Sequence, residues 1–162
     1  MAFRRRVGLI VAVPFGEDLY GFGRVLQEPL MEFFDLKNVT PAATESELKN
    51  AKVIFRILVA QAPITKGQWP RVVGVGIDTS EPPPVQFFQE DALSGHLSIV
   101  EIASDGSETI TPGVSSAECE DLERYAVWSA SHVESRLRDF FASRPNKFVE
   151  SLRVGRTLGK DR

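Results

Sequence analysis

Very few side chains in this sequence have the type and spacing that covalent catalysis requires. Cys119 is the only cysteine and follows Ser115–Glu118, a helix-starting pattern, in a setting that lowers a thiol pKa. Its nearest histidine, His132, lies more than three turns further along the same expected helix, so a structural thiol outweighs a nucleophile. Ser129 and His132 share a helical face at i, i+3 but have no orienting acid and no oxyanion donors. His96 and His132 are the only histidines, and one cysteine forms neither an intrachain disulfide nor a metal-binding pair. Gly21-Phe22-Gly23 and Gly74-Val75-Gly76 look like pieces of phosphate loops, yet both lack the third glycine and a helix behind it. These residues point to no catalytic set, no metal and no cofactor.

The charged residues are more informative. Residues 1–71 hold ten Lys/Arg and seven Asp/Glu, residues 124–162 nine and four, and residues 72–123 hold eleven Asp/Glu with no cation. Glu118–Glu123 in part favours the positive end of a helix. Glu81, Glu90, Asp91, Glu101, Asp105 and Glu108 fall in turns or at strand ends and are the candidate contacts for a basic partner. An alternative binding face is Tyr20, Phe22 and Arg24, which share one side of a strand by the two-residue period. Arg56 interrupts the apolar run Val53–Ala60 and, if buried there, needs a carboxylate. Glu123 is the preferred partner, on a helix expected to cover the sheet, with Glu32 and Asp35 as competitors.

The elements that must position these residues follow from periodicity. Val7–Val13 is an apolar run suited to a covered strand, and Gly16-Glu17-Asp18 turns it into a second strand, Leu19–Leu26. Gly21 and Gly23 share one face there, allowing close approach or sharp coiling. Met31–Leu36, Val53–Ala60 and Val72–Ile77 read as further strands, with a helical turn at Glu45–Asn50. Asp78–Pro84 is irregular or extended. Gln86–Gln89 as a short edge strand, Leu97–Ala103 and Glu108–Ile110 complete the strands, with a hairpin at Ser104-Asp105-Gly106-Ser107. A capping box at Ser115 and Glu118 then opens one amphipathic helix of roughly 25 residues ending near Ser143. Pro145 starts a short second helix through Leu152.

The expected fold class is α+β, a strongly bent antiparallel sheet or partly open barrel packed against a long C-terminal helix. One domain over residues 1–154 and a basic flexible tail over 155–162 are expected from 162 residues of globular composition, 43% hydrophobic and 25% charged. A net charge of -3 argues against a nucleic-acid partner. Arg4, Arg5 and Arg6 before Val7–Val13 imitate a secretory signal, but the apolar run is short and no small-residue cleavage pair follows. No stretch approaches a membrane span. A cytoplasmic location is therefore expected.

Gly8–Val13, Tyr20-Gly21-Phe22-Gly23-Arg24-Val25-Leu26, Phe55-Arg56, Trp69 and Leu122-Glu123-Arg124-Tyr125-Ala126-Val127-Trp128 follow an order and spacing that resemble the immunity protein 26 family of bacterial polymorphic-toxin systems. The resemblance implies a non-enzymatic protein that binds and neutralises a cognate protein toxin. The charge pattern adds a basic nuclease as the toxin class. The alternative function is a small-ligand or nucleotide-binding β-barrel.

Overall fold

The computed structural model describes residues 6–76 and 80–155. The first apolar run becomes strand β1 (Ile10–Gly16) and turns at Glu17-Asp18, where Asp18 adopts φ 52°, into β2 (Leu19–Val25). Strand β3 (Leu30–Phe34) continues the meander. Helix α1 (Glu45–Asn50) forms where one helical turn is expected, because Thr44 and Glu47 make a reciprocal capping box. Strand β4 (Val53–Val59) follows, then the single turn α2 (Ala62–Thr65). Val72–Ile77, expected as a strand, is not one over its described residues. Pro70, Arg71 and Val72 instead tie to the outer edge of β1 through Ala12 N–H to the Pro70 carbonyl (2.8 Å), the Val11–Arg71 bridge and Val72 N–H to the Ile10 carbonyl (3.0 Å).

Strands β5 (Val85–Glu90), β6 (Leu97–Ile102) and β7 (Glu108–Pro112) form an antiparallel meander. The Ser115–Glu118 capping box is present, but α3 (Ser116–Cys119) is only four residues long. Next come β8 (Glu123–Arg124), β9 (Val127–Trp128), α4 (Ala130–Phe141) and α5 (Lys147–Ser151). The single long helix expected from Ser115 to Ser143 is thus corrected to 12 residues in α4. Leu122–Trp128 carries apolar residues at helical spacing, yet Tyr, Val and Trp also suit strands. Here the strand pairing wins: Tyr125 N–H reaches the Phe88 carbonyl at 2.8 Å, and Trp128 accepts from Ala60 N–H at 3.0 Å. At its far end α4 stops as expected, with Ser143 at φ 55° just before Pro145. The expected basic tail lies, beyond Gly155, outside the described residues, as do Arg4, Arg5, Ile77 and Asp78.

Two compact units result. The first takes the chain up to Ser80 together with Val127–Arg144. Its sheet has the order β1-β2-β3-β4-β9 and curls strongly into a half-barrel, which together with the helices makes the protein α+β. Gly23 faces the Phe33 ring so closely that a Cβ would lie 2.8 Å from it, and a Cβ on Gly21 would lie 3.1 Å from Leu137 of α4. The two glycines on one face therefore admit a phenyl ring and the helix. Phe15 stacks on Phe141 (5.3 Å), and the Arg136 guanidinium lies 3.8 Å from the Phe55 ring centroid, fixing α4 against the sheet.

The second unit takes Glu81–Ala126 and the described residues from Pro145. Its sheet has the order β7-β6-β5-β8, with Phe87, Phe88, Val100 and Ile102 buried; Gln86–Gln89, expected at an edge, is interior because β8 pairs with its other side. All five residues of its outermost strand β7 are exposed. Among the described residues no helix is long and apolar enough to cross a membrane.

Candidate functional site

Strand register in the first unit sets four side chains in one cross-strand row. Ile10 pairs with Arg24, Arg24 with Glu32, and Glu32 with Arg56. Directly opposed residues on neighbouring strands bring their side chains within interaction distance. Arg24 Nη2 lies 2.6 Å from Glu32 Oε1, and Arg56 Nε donates to Glu32 Oε2 at 3.0 Å. Glu32 is 1% exposed, so its two oxygens face cations rather than water. A buried carboxylate needs such partners, because desolvation otherwise outweighs the fold's gain.

This settles the partner of Arg56. The structure assigns Glu32, one of the two competing carboxylates, in place of Glu123. Glu123 lies in β8, in register with Phe87, and does not sit on a covering helix. The signal for Glu32 was its position in β3, but only the strand register selects it.

The row opens into a groove of about 590 Å³. Its floor is sheet: Ile10, Arg24, Glu32, Phe34, Val53 and Arg56. Its walls are Glu45, Leu48, Lys49 and Ala51 from α1 and its C-cap, and Val75 with Gly76 from the following connection. Glu45 fixes one wall, accepting the Gly76 N–H at 2.9 Å. The same N-terminal end of α1 is held by Asn38, which donates to the Ala42 carbonyl (2.8 Å) and to Glu47 (3.3 Å), and whose backbone bridges Tyr20. Hydrogen bonds from Thr44 and Asn38 hold the Glu47 carboxyl below the usual carboxylate range. Lys49, Glu45, Phe34 and Val75 were not singled out by sequence, since no linear spacing joins a helix face to alternate residues of four strands.

The alternative face of Tyr20, Phe22 and Arg24 divides in the structure. Phe22 is fully buried among Ile10, Ala12, Phe34, Ala43, Leu48 and Val72, with Tyr20 packed at the margin of that cluster. Only Arg24 reaches the groove.

The six candidate acids all lie in the second unit, where the structure does not gather them in one place. Glu90 and Asp91 are at the β5–β6 end of the sheet; Glu101, Asp105 and Glu108 are at the β6–β7 end; and Glu81 precedes β5. Glu90 meets Arg124 at 3.4 Å, and Glu108 accepts the Tyr125 hydroxyl at 2.6 Å, which helps push that phenol up to about 12. Asp91 accepts the N–H groups of Leu93 and Ser94, and Asp105 accepts from Ser107. These turn bonds hold both carboxyls below their ordinary value. Glu101 accepts from Gln86 at 3.3 Å, whereas Glu81 is exposed. Cys119 is buried at the end of α3 and its thiol is pushed up by burial, first, and by Glu118, the opposite of an activated nucleophile.

Between Glu81 and Ala126 ten carboxylates face one cation, Arg124. The first unit carries thirteen Lys/Arg against ten Asp/Glu. The net negative charge of the molecule therefore comes from the second unit, with six Lys/Arg against twelve Asp/Glu.

Compared with known families, the chain matches the immunity protein 26 family model over residues 6–97, more than half of its length. The matched span includes Arg24, Glu32, Arg56 and all of α1. The chain belongs to this family, which gives it an immunity role in general terms. Neither the curated proteins nor the solved structures compared contain a match.

Proposed function

We propose that this member of the immunity protein 26 family neutralises a cognate toxin by binding it stoichiometrically in the cytoplasm, without turnover, and that the toxin presents a basic surface such as a nuclease uses to hold phosphates. Family membership supports the immunity role. The observation that supports the partner's chemistry is the confinement of excess carboxylate to Glu81–Ala126, on a sheet whose outer strand β7 is fully exposed.

Such a surface repels nucleic acid and attracts a basic protein. Steering of this kind raises association rates, up to about 10⁸ M⁻¹s⁻¹ at low salt, and is screened within about 8 Å at physiological ionic strength. Because Glu90, Asp91, Asp105 and Glu108 hold internal bonds, Glu81 is the cleanest residue with which to test it, followed by Glu101, whose bond from Gln86 is an exposed 3.3 Å contact.

The experiment pairs the protein with the toxin domain encoded in the neighbouring reading frame. Protection should require equimolar protein, and Glu81→Lys with Glu101→Lys should slow association and flatten its salt dependence while leaving the melting temperature unchanged. Protection by a small fraction of the toxin's concentration would show turnover. Association insensitive to salt and to both reversals would remove the acidic surface from recognition.

A further inference from the structure

The groove over the Arg24–Glu32–Arg56 row has the composition of a ligand site rather than of a packed core. Ligand pockets are clefts of roughly 300–1,000 Å³ with mostly apolar walls and a few convergent polar groups. This one, at about 590 Å³, combines Ile10, Phe34, Leu48, Val53 and Val75 with the charged row and Lys49.

Its electrostatics are unbalanced. Glu32 is a single carboxylate shared by two guanidiniums, and its side chain is 2% exposed while that of Arg56 is 34% exposed. Arg56 spends its Nε on Glu32 Oε2. A guanidinium is a planar fork, so holding it by Nε leaves its Nη pair as a second, parallel set of donors for another oxyanion. Lys49 adds a further positive charge on the helix wall, so among the described lining residues Arg24, Lys49 and Arg56 outnumber Glu32 and Glu45, the latter accepting the Gly76 N–H. The buried Glu32 thus works as a backstop that aims cations at the opening.

We propose that the groove binds a small organic anion, with a carboxylate or phosphate head on Arg56 and Arg24 and an apolar body against Phe34, Val53, Leu48 and Val75. Glu32 is a positioning residue in this site. The proposal does not depend on the toxin reading: the site lies on the opposite-signed unit, and its test uses no toxin.

The test titrates the full chain with benzoate and with phenyl phosphate, following backbone amide signals. Benzyl alcohol and inorganic phosphate serve as the neutral and headgroup-only probes. Saturable shifts at Leu48, Ala51, Val53 and Val75 with either aromatic anion, and not with benzyl alcohol, are expected. Which of the two binds more tightly identifies carboxylate or phosphate as the head. Arg56→Lys keeps the charge opposite Glu32 but loses the paired donors, so it should weaken binding about tenfold with the fold intact. Arg56→Gln should abolish binding, and if that variant does not fold, Lys49→Gln supplies a surface-charge check with a smaller loss. No saturable shift at millimolar probe overturns the proposal. So does equal binding by the Arg56→Lys variant, or inorganic phosphate matching phenyl phosphate at the same amides.

Discussion

The two units bury opposite charges. In the first, the buried ion is an anion, Glu32, held by Arg24 and Arg56. In the second it is a cation: Arg124, 8% exposed, bonds Glu90 and the carbonyls of Leu152 and Arg153 and lies 4.7 Å from the Phe88 ring centroid. Each buried ion draws its counter-charge inward, and the sign in surplus is left at the rim. A cationic groove and an acidic surface on one chain are two outcomes of the same desolvation rule.

The comparison breaks most sharply at its two centres. Glu32→Gln leaves two guanidiniums facing a neutral amide and should cost about 3 kcal/mol, at the low end for a buried pair because Arg56 is a third exposed. Denaturant midpoints measure this, and a double-mutant cycle of Glu32→Gln with Arg56→Gln should show clear non-additivity. Arg124→Met removes the guanidinium from over the Phe88 ring and strands two carbonyls and Glu90, and a loss of about 2 kcal/mol is expected. If Arg124→Met proves neutral, the mirror relation between the units fails.

Gly23→Ala tests the curl that places the row. A Cβ there would sit 2.8 Å from the Phe33 ring and 3.3 Å from the Glu32 carbonyl oxygen, so a loss of about 1–3 kcal/mol is expected. The same substitution should also weaken any anion binding in the groove, since Glu32 must shift.

Smaller effects lie at the rim of the second unit and carry opposite pH signs. The Tyr125 phenol is pushed up to about 12, chiefly by its bond to Glu108. A group whose folded pKa is raised contributes stability below its unfolded value and loses it as pH climbs, here between about 10 and 12. Comparing phenolate absorbance with that of Tyr125→Phe should isolate this titration. Asp105 is lowered, so its contribution is present above the ordinary carboxylate pKa and disappears as pH falls through the folded value. Asp105→Asn should remove that acid-side dependence and change little else.

What the sequence made legible was local. The β1–β2 hairpin, the helical turn of α1, the β6–β7 hairpin and the paired glycines of β2 all rest on signals within a few residues. The failures were non-local. Leu122–Trp128 reads as helix by apolar spacing, and only pairing with Phe88 and Ala60, distant in sequence, makes it strand. Arg56 announced a need for a carboxylate from its neighbours alone, but it is a third exposed rather than buried, and its partner depended on which residue of β3 stands opposite. The groove was illegible for the same reason: α1 supplies its wall and alternate residues of four strands its floor. Acidic composition was plain to read, yet the internal bonds that occupy Glu90, Asp91, Asp105 and Glu108 were not.

The half-barrel also has a timetable. Its fifth strand, β9, pairs parallel with β4 through Leu58–Val127 and Val59–Trp128, so the whole of Glu81–Ala126 intervenes between the two partners. A chain emerging from the ribosome therefore completes β1 to β4 well before it can close the β4 edge or lay α4 across Gly21. Throughout that interval the growing sheet has an unpaired edge and an uncovered apolar face, the state in which nascent chains are most prone to mispairing. Closing so long a loop costs little more free energy than closing a short one, but it delays closure until synthesis of the intervening segment is finished.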